Sequence, residues 1–282
     1  MNILTFDIEE WFHILDSEHT DSDAQWGNFE SRIEENLPGL LDLLNGMGQP
    51  ATFFCLGWVA RKYPGVIREI DRMGHEIATH SDMHQLVYSQ SPGQFRMDLE
   101  RSVKSLEDLT GKKVTAYRAP GFSITEKTPW AFDVLMECGI EIDCSVFTSS
   151  RAHGGFDGFP LKTPCRIEIN GSSIKEFPLS HFSVGPLRVV FSGGGYFRIM
   201  PYPVIRYMMR RSSYVMVYLH YRDFDYGQGK IDGLPLHRRF KSYVGIKGAL
   251  AKLRRLITEF RFVDLRTADS VIDWEKAGTV RL

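Results

Sequence analysis

Five short apolar runs in this 282-residue chain each end on an ionisable side chain: Asp7, His80, Arg118, Asp143 and His220. Residues 2–6, 51–56, 75–79, 114–117, 140–142 and 214–219 read as strands from their β-branched and aromatic content. Between them, residues 33–47, 59–73, 92–109, 125–138 and 201–211 place apolar side chains at helical spacing, with Gly74, Gly111 and Gly139 as closing residues. Strand alternating with helix predicts a parallel sheet wrapped by helices, and such folds carry their functional groups where the strands end. Taken singly, the five residues could be a turn former, a cap, a surface ion pair or a core histidine. Together they point to one site.

The length suits a single α/β barrel of about 250 residues with additions, so residues 1–282 are expected to form one catalytic domain. Residues 149–199 break the alternation with glycine, proline and short alternating segments, and read as an inserted β-hairpin region. Residues 16–28 read as a surface loop, 240–260 as a long basic helix and 262–265 as the last strand. The formal net charge is −1 with the charges dispersed, which gives no footprint for nucleic acid. No apolar run approaches membrane-spanning length, and the chain enters a strand at once, so a cytoplasmic location without a membrane span is expected. The four cysteines lack Cys-x-x-Cys spacing and are expected to be free thiols.

His80 and His84, four apart, can share a divalent cation if a helical turn or tight loop brings them to one side. A catalytic centre of this kind takes three protein ligands and leaves a position for water, and the acidic run Asp7, Glu9, Glu10 can supply an oxygen. Two imidazoles and a carboxylate favour zinc, with cobalt, nickel or iron able to use the same ligands.

Thr5-Phe6-Asp7, His80-Ser81-Asp82-Met83-His84, Arg118-Ala119-Pro120-Gly121 and Leu219-His220 resemble, in order and separation, the motifs of the polysaccharide deacetylase family, also called carbohydrate esterase family 4 or the NodB homology domain. Asp7 to Phe12, Ser192 to Arg198 and Leu219 to Asp225 further resemble a branch associated with bacterial exopolysaccharide and capsule biosynthesis. The resemblance implies a deformed (β/α) barrel, expected here with seven strands, that removes N-acetyl groups from a sugar or polysaccharide with one divalent metal. It implies Asp7 as general base held by Arg118, and His220 as general acid supported by Asp143. It further implies Gly121 as an oxyanion N–H and Leu219 in the acetyl-methyl pocket. Two positions depart from the family pattern. Ile8 stands where a second aspartate is usual, so the carboxylate ligand must be Glu9 or Glu10. An extended segment points Asp7 and Glu9 to one side and Glu10 to the other, which favours Glu9 while leaving Glu10 within reach around a turn. Val146-Phe147 replaces a usual tryptophan after Asp143. Trp11, Tyr196 and Arg222 are candidates to contact an N-acetylated sugar. Arg206, Arg210 and Arg211, beside Tyr207, Met208 and Met209, offer peripheral contact with a lipid-linked substrate. A cyclic ureide or imide hydrolase, or a carbohydrate-binding relative without turnover, would carry much the same motifs.

Overall fold

The computed structural model describes residues 1–15, 17, 20, 22–148, 153–185 and 187–282. The expected loop at 16–28 and the expected insertion at 149–199 both begin outside the described residues. The strands are β1 (Asn2–Ile8), β2 (Thr52–Cys55), β3 (Glu76–Thr79), β4 (Ala116–Tyr117), β5 (Ile142–Asp143), β6 (Cys165–Ile169), β7 (Ser172–Glu176), β8 (Phe182–Val184), β9 (Leu187–Val189), β10 (Val215–His220) and β11 (Gly278–Arg281). One sheet runs β10-β1-β2-β3-β4-β5-β7-β6-β11, and β8 and β9 form a separate hairpin. From β10 to β7 all neighbours are parallel, which gives seven parallel strands among the described residues.

The seventh of these corrects the expectation. It is β7, from the region read as an insertion, with β6 returning antiparallel beside it and β11 added parallel at the edge. Residues 262–265 instead make a single bridge, Val263 to Ile3. Asp264 then accepts the Thr267 N–H (2.9 Å) and starts the helix Leu265–Val271. Two expected helices are also broken. Pro64 divides the first into Gly57–Lys62 and Pro64–Arg72. Gly245, at φ +75°, divides the last into Leu236–Tyr243 and Ile246–Glu259, and a Cβ there would stand 2.8 Å from the Arg198 carbonyl oxygen. The helix Pro92–Thr110 keeps nearly its expected bounds because both ends are specified. Ser91 and Gln94 form a capping box, and Gly111 closes the helix at φ +68°.

Side-chain parity gives the sheet its two faces. Ile3, Phe54, Ala78, Ala116, Ile142, Cys144 and Met216 pack together inside the curled sheet. Phe6, Phe53, Cys55 and Leu219 point outward into the layer of helices. The ends of the curl meet where Ser180 Oγ accepts the Met216 N–H (3.1 Å) and donates to the Met216 carbonyl (3.4 Å), with Tyr214 Oη donating to the Pro178 carbonyl (2.8 Å). Side chains thus close a seam that the backbone ladder leaves open.

The same parity places Asp143 on the outer face, opposite Glu176 in register. Both are fully buried and share a hydrogen bond, and Ser145 Oγ also donates to Asp143 (2.5 Å). Burial, with Asp143 alongside, pushes the Glu176 carboxyl well above the usual range, so it carries the proton. A group whose pKa rises on folding stabilises the fold at low pH and loses that contribution as pH climbs through the folded value. Native protein should therefore lose stability relative to Glu176→Gln as pH rises from the ordinary carboxyl value toward the raised folded one, by up to about 1.4 kcal/mol per pH unit, with the difference levelling off once both states are ionised. Urea unfolding across that range tests this, and a constant difference between the two proteins would contradict it.

Candidate metal centre and catalytic cleft

The interior-facing residues at the ends of β1, β3, β4 and β10 converge. Asp7 lies beside His220 in the β1–β10 register. Arg118, with no exposed surface, donates from Nη1 to Asp7 Oδ1 at 2.6 Å and stacks its guanidinium 4.0 Å from the Phe54 ring centroid. The other Asp7 oxygen is 4.0 Å from His80 Nε2 and 3.8 Å from His220 Nε2. After β3 the chain makes a tight loop and not a helical turn, with Ser81 at φ +71° and His84 at φ +53°. These left-handed conformations swing His84 back beside His80, their ring centroids 5.3 Å apart.

Glu9, His80 and His84 are buried, and their ligand atoms lie within 4.8 Å of one another. His80 Nδ1 donates to the Arg118 carbonyl (2.8 Å), which leaves the Nε2 lone pair directed at the cluster. Burial holds the His80 imidazole down at about 4, so it is neutral near pH 7 and in the ligand form. Glu9 Oε2 is 2.5 Å from His84 Nε2, yet this buried oxygen makes no hydrogen bond. Burial alone would raise the Glu9 carboxyl, but His84, Arg222 and His220 outweigh it and hold it well below the usual range. A carboxylate oxygen and two imidazoles facing a common point fit a divalent cation.

Glu10 is used elsewhere. Its carboxylate accepts from Ser31 Oγ (2.5 Å), the Arg32 N–H (3.0 Å), the Ile33 N–H (3.1 Å) and Tyr221 Oη (2.5 Å), which secures the start of the helix Ile33–Gly46. Strand parity thus separates the two glutamates, one facing the cluster and the other anchoring a helix.

His220 is held by Asp223 and not by Asp143, which its outward parity commits to Ser145 and Glu176. Asp223 Oδ2 accepts the His220 N–H (2.8 Å) and lies 3.3 Å from His220 Nδ1. Burial would raise Asp223, but the hydrogen bond from His220 and the charge of Arg198 bring it down to about 2. Burial likewise opposes the His220 charge, and Glu9 and Asp223 outweigh it, raising the imidazole above its ordinary value. Arg198 is 2.8 Å from Asp223 Oδ1 and donates to the carbonyls of Lys241 (2.6 Å), Ser242 (3.1 Å) and Val244 (2.8 Å). A carboxylate three residues past a strand-end histidine was the available signal for Asp223.

The glycine run makes this approach possible. A Cβ on Gly193 would lie 2.1 Å from the Tyr218 ring, one on Gly194 3.0 Å from Asp223 and one on Gly195 3.2 Å from the Lys241 carbonyl. A cleft of about 270 Å³ opens over the cluster, lined by Gly121, Phe122, Phe147, Leu179, Tyr196, Tyr218 and Arg222 among others. Two expected substrate contacts lie elsewhere. Leu219 points outward into the helix layer, opposite in parity to His220, and does not line this cleft. Trp11 is buried against Phe12 and Phe29, with its indole N–H donated to the Glu30 carbonyl (2.9 Å). Arg222 lines the cleft but pairs with Glu9 Oε1 at 3.0 Å. His13 joins the wall, its Nδ1 accepting the Glu10 N–H (3.2 Å), which places the proton of the neutral ring on Nε2.

The two glutamates should therefore separate in experiment. Glu10→Gln should lose about 2 kcal/mol of stability through mispaired buried donors while still binding one metal ion per chain. Glu9→Gln should bind metal at least tenfold more weakly. Urea unfolding and metal analysis of the purified variants distinguish them, and the opposite pattern would exchange their roles.

Residues 17–141 match the family model described as polysaccharide deacetylase, and residues 144–269 match a domain of unknown function, DUF3473. The first range contains His80, His84 and Arg118, the second contains His220 and Asp223, and Asp7 and Glu9 precede both. The chain is 28% identical over 136 residues to a peptidoglycan deacetylase of Helicobacter pylori, covering 48% of this chain and 45% of that one. It is 31% identical over 98 residues to a peptidoglycan-N-acetylglucosamine deacetylase of Bacillus cereus, covering 34% and 36%. The chain thus spans less than half the length of these curated relatives. A crystal structure of a presumptive polysaccharide deacetylase from Mycobacterium smegmatis superposes with a TM-score of 0.68 at 21% identity, over 100% of this chain and 92% of that one, and shows the shared fold. The deacetylase model falls on the strands that deliver His80, His84 and Arg118, so residues 17–141 carry a polysaccharide deacetylase domain.

Proposed function

We propose that this protein is a metal-dependent N-deacetylase that hydrolyses the acetamido group of an N-acetylated sugar in surface-polysaccharide assembly. One observation carries the reading: Asp7 and His220, 3.8 Å apart, stand together beside a buried Glu9-His80-His84 cluster at the ends of the parallel strands. Zinc suits the two imidazoles and one carboxylate best. When bound, the ion supplies a Lewis acid that polarises the amide carbonyl and acidifies a bound water.

The chain's own residues do the rest. Asp7, paired with the Arg118 guanidinium, takes the proton of the attacking water. Gly121, in its left-handed turn at the cleft wall, offers a backbone N–H toward the developing oxyanion. His220 Nε2 gives a proton to the leaving amine, and Asp223 fixes the ring with Nδ1 protonated. Phe122, Phe147, Leu179 and Tyr218 form the apolar wall for the acetyl methyl, with Phe147 filling the place of the usual tryptophan. Tyr196 and Arg222 lie where a sugar ring would rest. The free thiols Cys55, Cys138, Cys144 and Cys165 support a reducing compartment, and we place the reaction in the cytoplasm. No helix among the described residues is long and apolar enough to cross a membrane.

Acetate release from N-acetylglucosamine oligomers tests the reading. Chelated protein should be inactive, zinc or cobalt should restore turnover, and His80→Ala should stay inactive in either metal. Asp7→Asn should lower kcat by about 10²–10⁴-fold with metal still bound. Release that survives both chelation and His80→Ala would overturn the mechanism, and glycan binding without release in any metal state would overturn the activity.

A further inference from the structure

Between Gly233 and Thr258 the chain holds seven lysines and arginines and no carboxylate, although its formal net charge is −1. The helix Leu236–Tyr243 opens this segment at the rim of the cleft and has two different faces. At 100° per residue, Arg238, Lys241 and Ser242 fall on one side, and all three line the cleft. Arg198 fixes this orientation by taking the Lys241, Ser242 and Val244 carbonyls. Leu236 and Phe240, one turn apart, fall on the opposite side and stand 83% and 58% exposed, with exposed Arg239 beside them. The helix Tyr202–Arg211, the other basic segment, also exposes Val204 and Tyr207, but it does not line the cleft and its Tyr207 ring is covered by the Arg211 guanidinium. It buries Met208 and Met209, and its Arg206 pairs with Glu259 at 2.9 Å.

We infer that the outer face of helix Leu236–Tyr243 docks the protein on an anionic phospholipid surface. Leu236 and Phe240 enter the interfacial region, and Arg239 and the positive field of the segment meet the headgroups. The charge selects this occupant. A second copy related by a two-fold axis would set the same cations against each other, and two side chains fall far short of the roughly 800 Å² per partner that a stable protein interface buries. Because the inner face of the same helix lines the cleft, docking sets the cleft mouth at the membrane. A glycan still carried on lipid would then be presented directly to it.

The test is co-sedimentation of the full chain with vesicles of phosphatidylcholine alone and vesicles that also contain phosphatidylglycerol, at low and high salt. Native protein should bind the anionic vesicles at least about tenfold more tightly, with the difference lost at high salt. Leu236→Ser combined with Phe240→Ser, and separately Arg239→Glu, should each weaken binding by about tenfold or more. Circular dichroism melting verifies that both variants are folded. Equal binding to the two vesicle types, binding that survives both variants, or no binding would overturn the inference. A native dimer that the double serine variant dissociates would also overturn it, by giving the face to a second copy. The assay needs neither metal nor sugar, so its failure leaves the deacetylase reading standing, and the failure of that reading leaves the vesicle result interpretable.

Discussion

The buried ion pair between Arg118 and Asp7 fixes the geometry on which the rest of the site depends. A guanidinium with no exposed surface carries a large desolvation penalty that only a close carboxylate and good packing offset, and here Asp7 lies at 2.6 Å and the Phe54 ring beneath. The pair ties the ends of β1 and β4 together across the barrel interior. The Arg118 backbone acts as well, because its carbonyl accepts a hydrogen bond from His80 Nδ1–H and so turns Nε2 toward the metal cluster. One residue therefore positions the candidate base and sets the tautomer of a candidate ligand. A conservative Arg-to-Lys change would retain the charge and lose both the fork and the stacking.

A second support stands on the opposite side of the cleft. Arg198 connects Asp223, which orients His220, to the carbonyls where helix Leu236–Tyr243 ends. The glycines at 193–195 let Tyr218, Asp223 and the Lys241 backbone come within a distance that side chains would prevent. The candidate acid and the rim helix thus share one buried cation. Base and acid are held by separate charged supports, which allows their environments to differ as amide hydrolysis requires.

Much of this arrangement is legible in the sequence because it follows from strand parity and strand ends. Apolar runs ending on Asp7, His80, Arg118 and His220 are visible without coordinates, and the two-residue repeat separates Glu9 from Glu10. The same parity explains two misplacements: Asp143 and Leu219 follow strands as well, but each points to the face away from the cleft. Asp223 was hidden because its role depends on a short turn after β10 and on Arg198, contacts that no periodicity records. β7 was read as part of an insertion because Lys175 and Glu176 obscure its buried pattern, although its partner strand is β5. Trp11 resembled an exposed sugar platform, and only the packing of Phe12 and Phe29 around it shows otherwise.

The central claim is that Glu9, His80 and His84 form the metal site, with Asp7 left beside it as the base. Anomalous diffraction at the zinc edge, from crystals grown with zinc, addresses it most directly. The account predicts one strong peak about 2.0–2.2 Å from Glu9 Oε, His80 Nε2 and His84 Nε2, with Asp7 outside bonding distance and still paired to Arg118. A peak ligated by Glu10 or directly by Asp7, or no peak at this cluster, would contradict it.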